Sequence, residues 1–486
     1  MSIGIEILCL ALISENVHTF LYIIYMQRII LTIVLFLSFF LESFAQIEEM
    51  HDFSVEIDGQ SLPTYRCDVD MHDVQQASWC QFDMGKPVKV RVVKHGIAAK
   101  NNGKDVAVLP SRFGIKPDFE NDSTISFMLS EPHYLSIEWN GDRKHNLHLF
   151  ADKPETETYD GTEPRLINWQ GEANKDVFIK NARIIYFGPG IHQPKDLIMG
   201  QQTGDIKIPS NTTVYLAPGA VVKGKLVVDH AKNVRILGRG VLDHPLRGVE
   251  ITHSQNVLVE GITIVNPVHY TVYGGQSKNV TIRNIKSFSR HGWSDGIDLM
   301  SCQNVLIEDV FLRNSDDCIA LYNHRWWFWG DTKNITVRRA TLWADVAHPF
   351  HLGTHGDDRS EKGETLTNVQ FSECDVLNED GDGVFTIRCG DKNRISNIRF
   401  DDIRVDYVEK GRLFNLQVYF SDKYNRAPGN YVRNVYFSNI EFLGDKSRLQ
   451  SDVWSDFDSQ HRVSDVYFNN ILINGQPVTP FAERGR

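Results

Sequence analysis

The sequence predicts an all-β protein, a right-handed parallel β-helix preceded by a small β-sandwich domain, on three observations. An Asn or Asp followed by a β-branched residue recurs at Asn233-Val234, Asn256-Val257, Asn279-Val280, Asn304-Val305, Asn334-Ile335, Asn368-Val369, Asn397-Ile398, Asn434-Val435 and Asp465-Val466, with alternating apolar residues after each. The steps vary, with 23 residues from Asn233 to Asn256 and 30 from Asn304 to Asn334, leaving room for loop insertions. A period of roughly 20–35 residues with strand-like alternation and no helical pattern signals a β-solenoid in which each coil adds a rung. The third observation is that residues 47–155 lack this ladder and read as short strands broken by turn signals such as Ile57-Asp58-Gly59, Asn101-Asn102-Gly103 and Glu138-Trp139-Asn140-Gly141, the pattern of a sandwich.

The elements follow in chain order. Residues 1–45 read as a leader and signal peptide: Arg28 precedes the apolar run Ile29 to Leu41, and Ser43-Phe44-Ala45 offers a small-x-small cleavage site before Gln46. Met26 is the expected true start, because a signal begins just before its basic residue. Gln46, where a lipid-anchored form would need Cys, leaves a secreted or periplasmic protein cut after Ala45. Residues 46–155 form the sandwich domain, for which packing is a better role than glycan binding. Polar residues 156–176 are the expected linker, and residues 177–486 the β-helix that carries the chemistry.

Size and charge bound the partners. With 486 residues the chain exceeds the roughly 250–300 at which single cores stop growing, and 42% hydrophobic content can fill a sizeable interior. A net charge of −11 and pI of about 5.9 argue against nucleic acid, and mildly against a highly anionic glycan. After the signal no stretch approaches the ~20 apolar residues of a membrane span. Six cysteines remain once Cys9 leaves with the leader, too few for a disulfide scaffold. Cys67 and Cys80 could pair, while Cys302, Cys318, Cys374 and Cys389 lie beside strand positions as buried thiols. No Cys/His spacing suggests zinc, and a monomer without cofactor or metal is expected. The sequons at Asn279 and Asn334 fall on the ladder, where each Asn should hydrogen-bond inward along the stack.

Register comes from counting back nine residues from Asn256, Asn279 and Asn304, and matching later coils by pattern. One column then runs Arg247, Tyr270, Asp295, Asp317, His348, Asp382. Neighbouring rungs lie about 4.8 Å apart, so Asp295 and Asp317 face one small volume with Asp316 at its edge. Like charges so close raise at least one pKa, which keeps a carboxylic acid protonated near neutral pH. A solvated acidic edge or a structural calcium site would explain an Asp pair alone. It does not explain Tyr, His and Arg in the same column beside the aromatic run Trp326-Trp327-Phe328-Trp329, whose tryptophans suit sugar faces.

These blocks give the chain, from about residue 180 to 480, a resemblance to the polygalacturonase family of glycoside hydrolases, and less strongly to the dextranase and isopullulanase family. Asp295-Gly296 matches the former's Asn-Thr-Asp-Gly block with Trp293-Ser294 replacing Asn-Thr, and Asp316-Asp317-Cys318 matches its Asp-Asp-Cys block. His348 aligns with its Gly-His-Gly segment, with Ala347 and Pro349 replacing both glycines. The resemblance implies an inverting hydrolase of α-linked glycans. Asp316 would be the general acid, Asp295 and Asp317 would activate the attacking water, acid and base lying about 6.5–9.5 Å apart to leave room for it, and His348 would tune the acid. Tyr270, Arg247, Trp326, Trp327, Trp329, Asp382 and Arg388 would bind substrate. The family's uronate-gripping Arg-Ile-Lys triplet aligns with Phe385-Thr386-Ile387, leaving Arg388 one residue out of phase. Unsubstituted polygalacturonate is therefore expected to be a poor substrate. A dextranase-like α-glucanase and a non-catalytic glycan-binding β-helix are the alternatives; a lyase, which needs calcium and a basic residue beside a uronate, is opposed by the Asp triad.

Overall fold

The computed structural model describes residues 47–96, 105–163, 166–168, 183–193, 197–198, 201–202 and 204–481. The expected signal sequence, its expected cleavage site and the turn at Asn101 lie outside the described residues. In the N-terminal sandwich, Phe53–Ile57, Gln60–Leu62, Val88–Lys94, Asp118–Asn121 and Thr124–Leu129 form one sheet. Tyr65–Val69, Gln75–Asp83, Val106–Leu109, Tyr134–Trp139 and Leu147–Asp152 form the other. Alternating apolar residues such as Val90, Ile125, Ile137 and Leu149 fill the space between them. Cys67 and Cys80, expected as a possible pair, are separate buried thiols, with Cys67 opposite Ala77 in the strand register.

The rest is a parallel β-helix of a ten-stranded and an eighteen-stranded sheet. Each later coil runs through a short strand, turns at the Asn ladder, and continues along a long strand that bends at a second left-handed residue. Gln303–Asn314, for instance, bends at Asp309, whose φ is 51°. Asn233, Asn256, Asn279 and Asn304 all have φ between 54° and 58°, which Asn tolerates better than other residues with a Cβ. Their amides hydrogen-bond up the stack, Asn256 to Asn233 at 3.0 Å and Asn279 to Asn256 at 3.1 Å. The ladder is exposed. The expected stacking at the sequons is present, but it runs along the surface and not inward, because the left-handed corner turns the side chain out.

Sheet pairing fixes the register of the ten-stranded sheet. Ile297 pairs with Ile319, Ile319 with Phe350, and Phe350 with Phe385. Two residues earlier in each coil lie Asp295, Asp317 and His348, as expected, and then Gly383, not Asp382. Val384 and Phe385 are consecutive apolar residues, so alternation allows two phases. Phe385 takes the inward one, stacking between Phe350 and Phe414 at 5.7 and 5.4 Å. Phe385 and Ile387 therefore fill the core, while Thr386 and Arg388 face outward with His351 of the preceding rung. The alignment that put Phe385 and Ile387 in the cleft is overturned, and with it the reason for expecting polygalacturonate to be poor.

The solenoid begins before residue 177. Leu166–Asn168 already pairs with Ile184–Phe187 in the large sheet, and the expected linker docks on it, Glu157 pairing with Arg235 at 2.6 Å. The sandwich packs Trp79 and Phe150 onto Phe288, Phe311 and Trp343 of the solenoid.

Candidate active site

Three turns leading into Ile297–Met300, Ile319–Tyr322 and Phe350–Gly353 bring Asp295, Asp316, Asp317 and His348 together. Oxygens of Asp295, Asp316 and Asp317 lie within 4.8 Å of one another. Asn314 holds the turns from beneath, its amide donating to Ser287 and Ser289 at 3.0 Å and to the Ser294 carbonyl at 3.1 Å. Gly296 must lack a side chain, since a Cβ there would lie 2.3 Å from the Cys318 carbonyl oxygen.

Each carboxylate has a different environment. Asp317 lies between two imidazoles: His348 Nδ1 is 2.6 Å from Oδ1, His351 Nδ1 contacts Oδ2, and the His348 backbone N–H donates to Oδ1 at 3.1 Å. His351 Nε2 is 2.8 Å from Thr354 Oγ1, which fixes that ring. Burial opposes ionisation of Asp317, but His351 and His348 outweigh it and hold the group well below its usual range. With the proton on Nδ1 an imidazole donates to Asp317 whether or not it is charged, so the effect persists although burial lowers the pKa of His351.

Asp316 accepts the Trp293 backbone N–H at 3.0 Å and its neighbour's N–H at 3.1 Å. Burial and the Asp317 charge push it up to about 6 against those donors. Asp295 is raised well above the usual range, first by burial and then by Asp298; buried Asp298 is raised in the same way, with Arg325 opposing. The site thus sets an ionised carboxylate beside a carboxylic acid titrating at about 6, with two further buried carboxyls, Asp295 and Asp298, both pushed upward.

The expected binding residues divide into three groups. Trp326 stacks on Tyr270 at 5.6 Å and Trp327 on Trp326 at 5.6 Å, both exposed. Tyr270 is buried, so it acts as the bed for Trp326, and Arg247, bonded to Glu250 at 3.2 Å, lies over Trp326. Trp329 is exposed but stacks on His324. Asp382 is taken up by Arg412 at 3.1 Å and by Arg388.

Asp298, His351, Arg325 and Trp293 were not singled out in the sequence. The first two alternate with the core residues Ile297, Leu299, Phe350 and Leu352, a signal that was present. Arg325 carries no such signal: its guanidinium rests 4.8 Å from the Tyr322 ring and 5.6 Å from that of Tyr270, a placement set by the loop. The nearest oxygens of the three aspartates lie within 4.8 Å of one another, a closest approach and not the carboxyl-to-carboxyl separation to which the expected gap of about 6.5–9.5 Å refers.

The model of the family described as Glycosyl hydrolases family 28 matches residues 221–482, and the chain belongs to that family. A protein named "Probable endopolygalacturonase D" from Neosartorya fischeri is 22% identical over 218 residues, 45% of this chain and 41% of that one. A dextranase from Arthrobacter globiformis is 25% identical over 264 residues, 40% of each chain. The chain thus spans about two-fifths of the length of these relatives. The solved structure of Dex49A from Penicillium minioluteum superposes with a TM-score of 0.61 at 16% identity, over 89% of this chain and 90% of that one. This likeness bears on the fold alone.

Proposed function

We propose that this member of glycosyl hydrolases family 28 is a secreted, monomeric enzyme that cleaves an α-linked polysaccharide or oligosaccharide with inversion of configuration. The observation that carries the reading is the contrast between Asp316 and Asp317, adjacent residues pushed in opposite directions. Asp316 donates its proton to the glycosidic oxygen as the bond to the anomeric carbon breaks. Asp317 accepts a proton from the water that attacks that carbon, and Asp295 helps orient the same water. Oxygens within 4.8 Å of one another are close enough for one water to bridge two of them, with hydrogen bonds of about 2.8 Å to each. Water attack opposite the leaving oxygen inverts the anomeric carbon, so stereochemistry is the decisive measurement.

With Phe385 and Ile387 in the core, the alignment no longer argues against an anionic substrate, and Arg325 lies over the Tyr322 and Tyr270 rings while Arg388 is bonded to Asp382. Polygalacturonate, dextran and pullulan should therefore be tested side by side with the purified protein, with proton NMR of the first product from whichever is cleaved. An inverted anomer is expected. A retained anomer would make Asp295 or Asp317 a nucleophile, and cleavage of none would favour a glycan-binding solenoid.

A further inference from the structure

Trp293 is two residues ahead of Asp295, in a turn closed by the Ser294 N–H on the His291 carbonyl at 3.3 Å. Its φ is 60°, in the left-handed region where a bulky side chain costs about 1–2 kcal/mol. Its indole is 70% exposed and has no ring partner among the described residues. The family block has Asn here, a residue that adopts this conformation cheaply. The fold thus bears both a strained backbone and an exposed tryptophan, and packing returns nothing for either. Strain of this kind gathers at functional sites. The turn is also joined to the chemistry, because the Trp293 N–H donates to Asp316 Oδ2 at 3.0 Å.

We propose that Trp293 is a sugar-binding platform, stacking the apolar C–H face of the pyranose unit next to the scissile bond. It would work with the Trp326–Trp327 pair, whose first member is also left-handed at φ 56°. A sugar seated on the indole rigidifies the same turn that holds the general acid, so binding and acid placement share one element. The inference rests on the glycan-hydrolase reading above.

Two variants and two measurements test it. Trp293→Asn keeps the backbone N–H and suits the left-handed turn; Trp293→Phe keeps an aromatic face. On whichever of polygalacturonate, dextran and pullulan the wild type cleaves best, Trp293→Asn should raise KM at least about tenfold, equivalent to about 1.4 kcal/mol. Its kcat should change less than KM, its thermal midpoint should not fall, and Trp293→Phe should restore most of the affinity. Native electrophoresis in gels containing each polysaccharide reads binding without turnover. There the wild type should be retarded and Trp293→Asn should not. An unchanged KM and unchanged retardation would overturn the proposal. So would a loss confined to kcat with a shifted alkaline limb, which would leave Trp293 serving Asp316 through its backbone alone. Retardation that depends on Trp293 in a protein that cleaves nothing would sink the hydrolase reading, and with it the place beside a scissile bond, and keep only the stacking of a sugar on Trp293.

Discussion

Replacing Asp316 by Asn should abolish hydrolysis and, at alkaline pH, stabilise the protein. Burial raises this carboxyl from 3.8 to about 6, so the folded state binds its proton more tightly than the unfolded chain. The sign follows: the stabilisation from this proton is complete below pH about 4 and is lost as pH rises through about 6. A shift of about two units is about 3 kcal/mol. Asn carries no charge at either pH, and the hydrogen bond it forfeits costs about 1 kcal/mol at both. The stability of the variant relative to wild type should therefore rise by about 3 kcal/mol between pH 4 and pH 8. For a body the size of residues 47–486, at about 2.1 cal/mol/K per residue, this is about 3 °C in thermal midpoint. Loss of general acid catalysis should cost about 10²–10⁴-fold in rate. Calorimetry of both proteins across that range, with rates on the best substrate, makes the measurement. A midpoint difference that does not vary with pH, or a variant keeping more than about a tenth of the rate, would refute the assignment of Asp316.

The other expectations are shorter. The pH profile of kcat/KM should fall above about 6 as Asp316 ionises, and should show no acid limb between about 4 and 6, since Asp317 is held ionised well below that range; an acid limb near 5 would mean another base. His351→Ala removes one of the two imidazoles on Asp317, so its pKa should rise, bringing in an acid limb that the wild type lacks and lowering kcat about tenfold for this weakened acid–base function. A profile still without that limb would show that His348 alone suffices. Arg313→Met strands the buried Asp345 carboxylate, which it meets at 3.1 Å, and should destabilise by about 3–5 kcal/mol; denaturant unfolding showing a loss below about 1 kcal/mol would contradict that.

The solenoid and the aspartate cluster were legible because both rest on repetition. Nine ladder positions set the rungs, and rungs convert the spacing of Asp295 and Asp317 into proximity. Register failed where repetition became ambiguous, at Val384-Phe385, and one slipped residue misplaced Asp382, Phe385, Ile387 and Arg388 together, as strand alternation requires. Arg325 could not have been foreseen, because its position comes from a loop whose tryptophans stack on neighbouring rungs. The opposing shifts of Asp316 and Asp317 were half visible: like charges were close, but the two imidazoles that decide which group ionises come from another coil. The thiols of Cys67 and Cys80 depend on pairing within the sandwich, on which sequence spacing was silent.

The N-terminal sandwich was expected to pack or to act as a spacer, and one residue shows that its packing reaches the chemistry. Arg313 is fully buried, three residues before Asp316, and binds Asp345, three residues before His348. The same guanidinium donates to Asn146 at 2.8 Å, to His148 at 2.9 Å and to the Arg143 carbonyl at 3.1 Å, all in the sandwich. It also lies 4.1 Å from the Trp343 ring. Burial, and then Arg313, keep His148 well below its usual pKa, so the imidazole stays neutral and free to accept. One cation thus joins the stems of the turns bearing the general acid and its histidine to a strand of the other domain. A guanidinium left without those three acceptors would be buried and unsatisfied, a cost of several kcal/mol, so the solenoid depends on the sandwich to hold Asp316 and His348 in place.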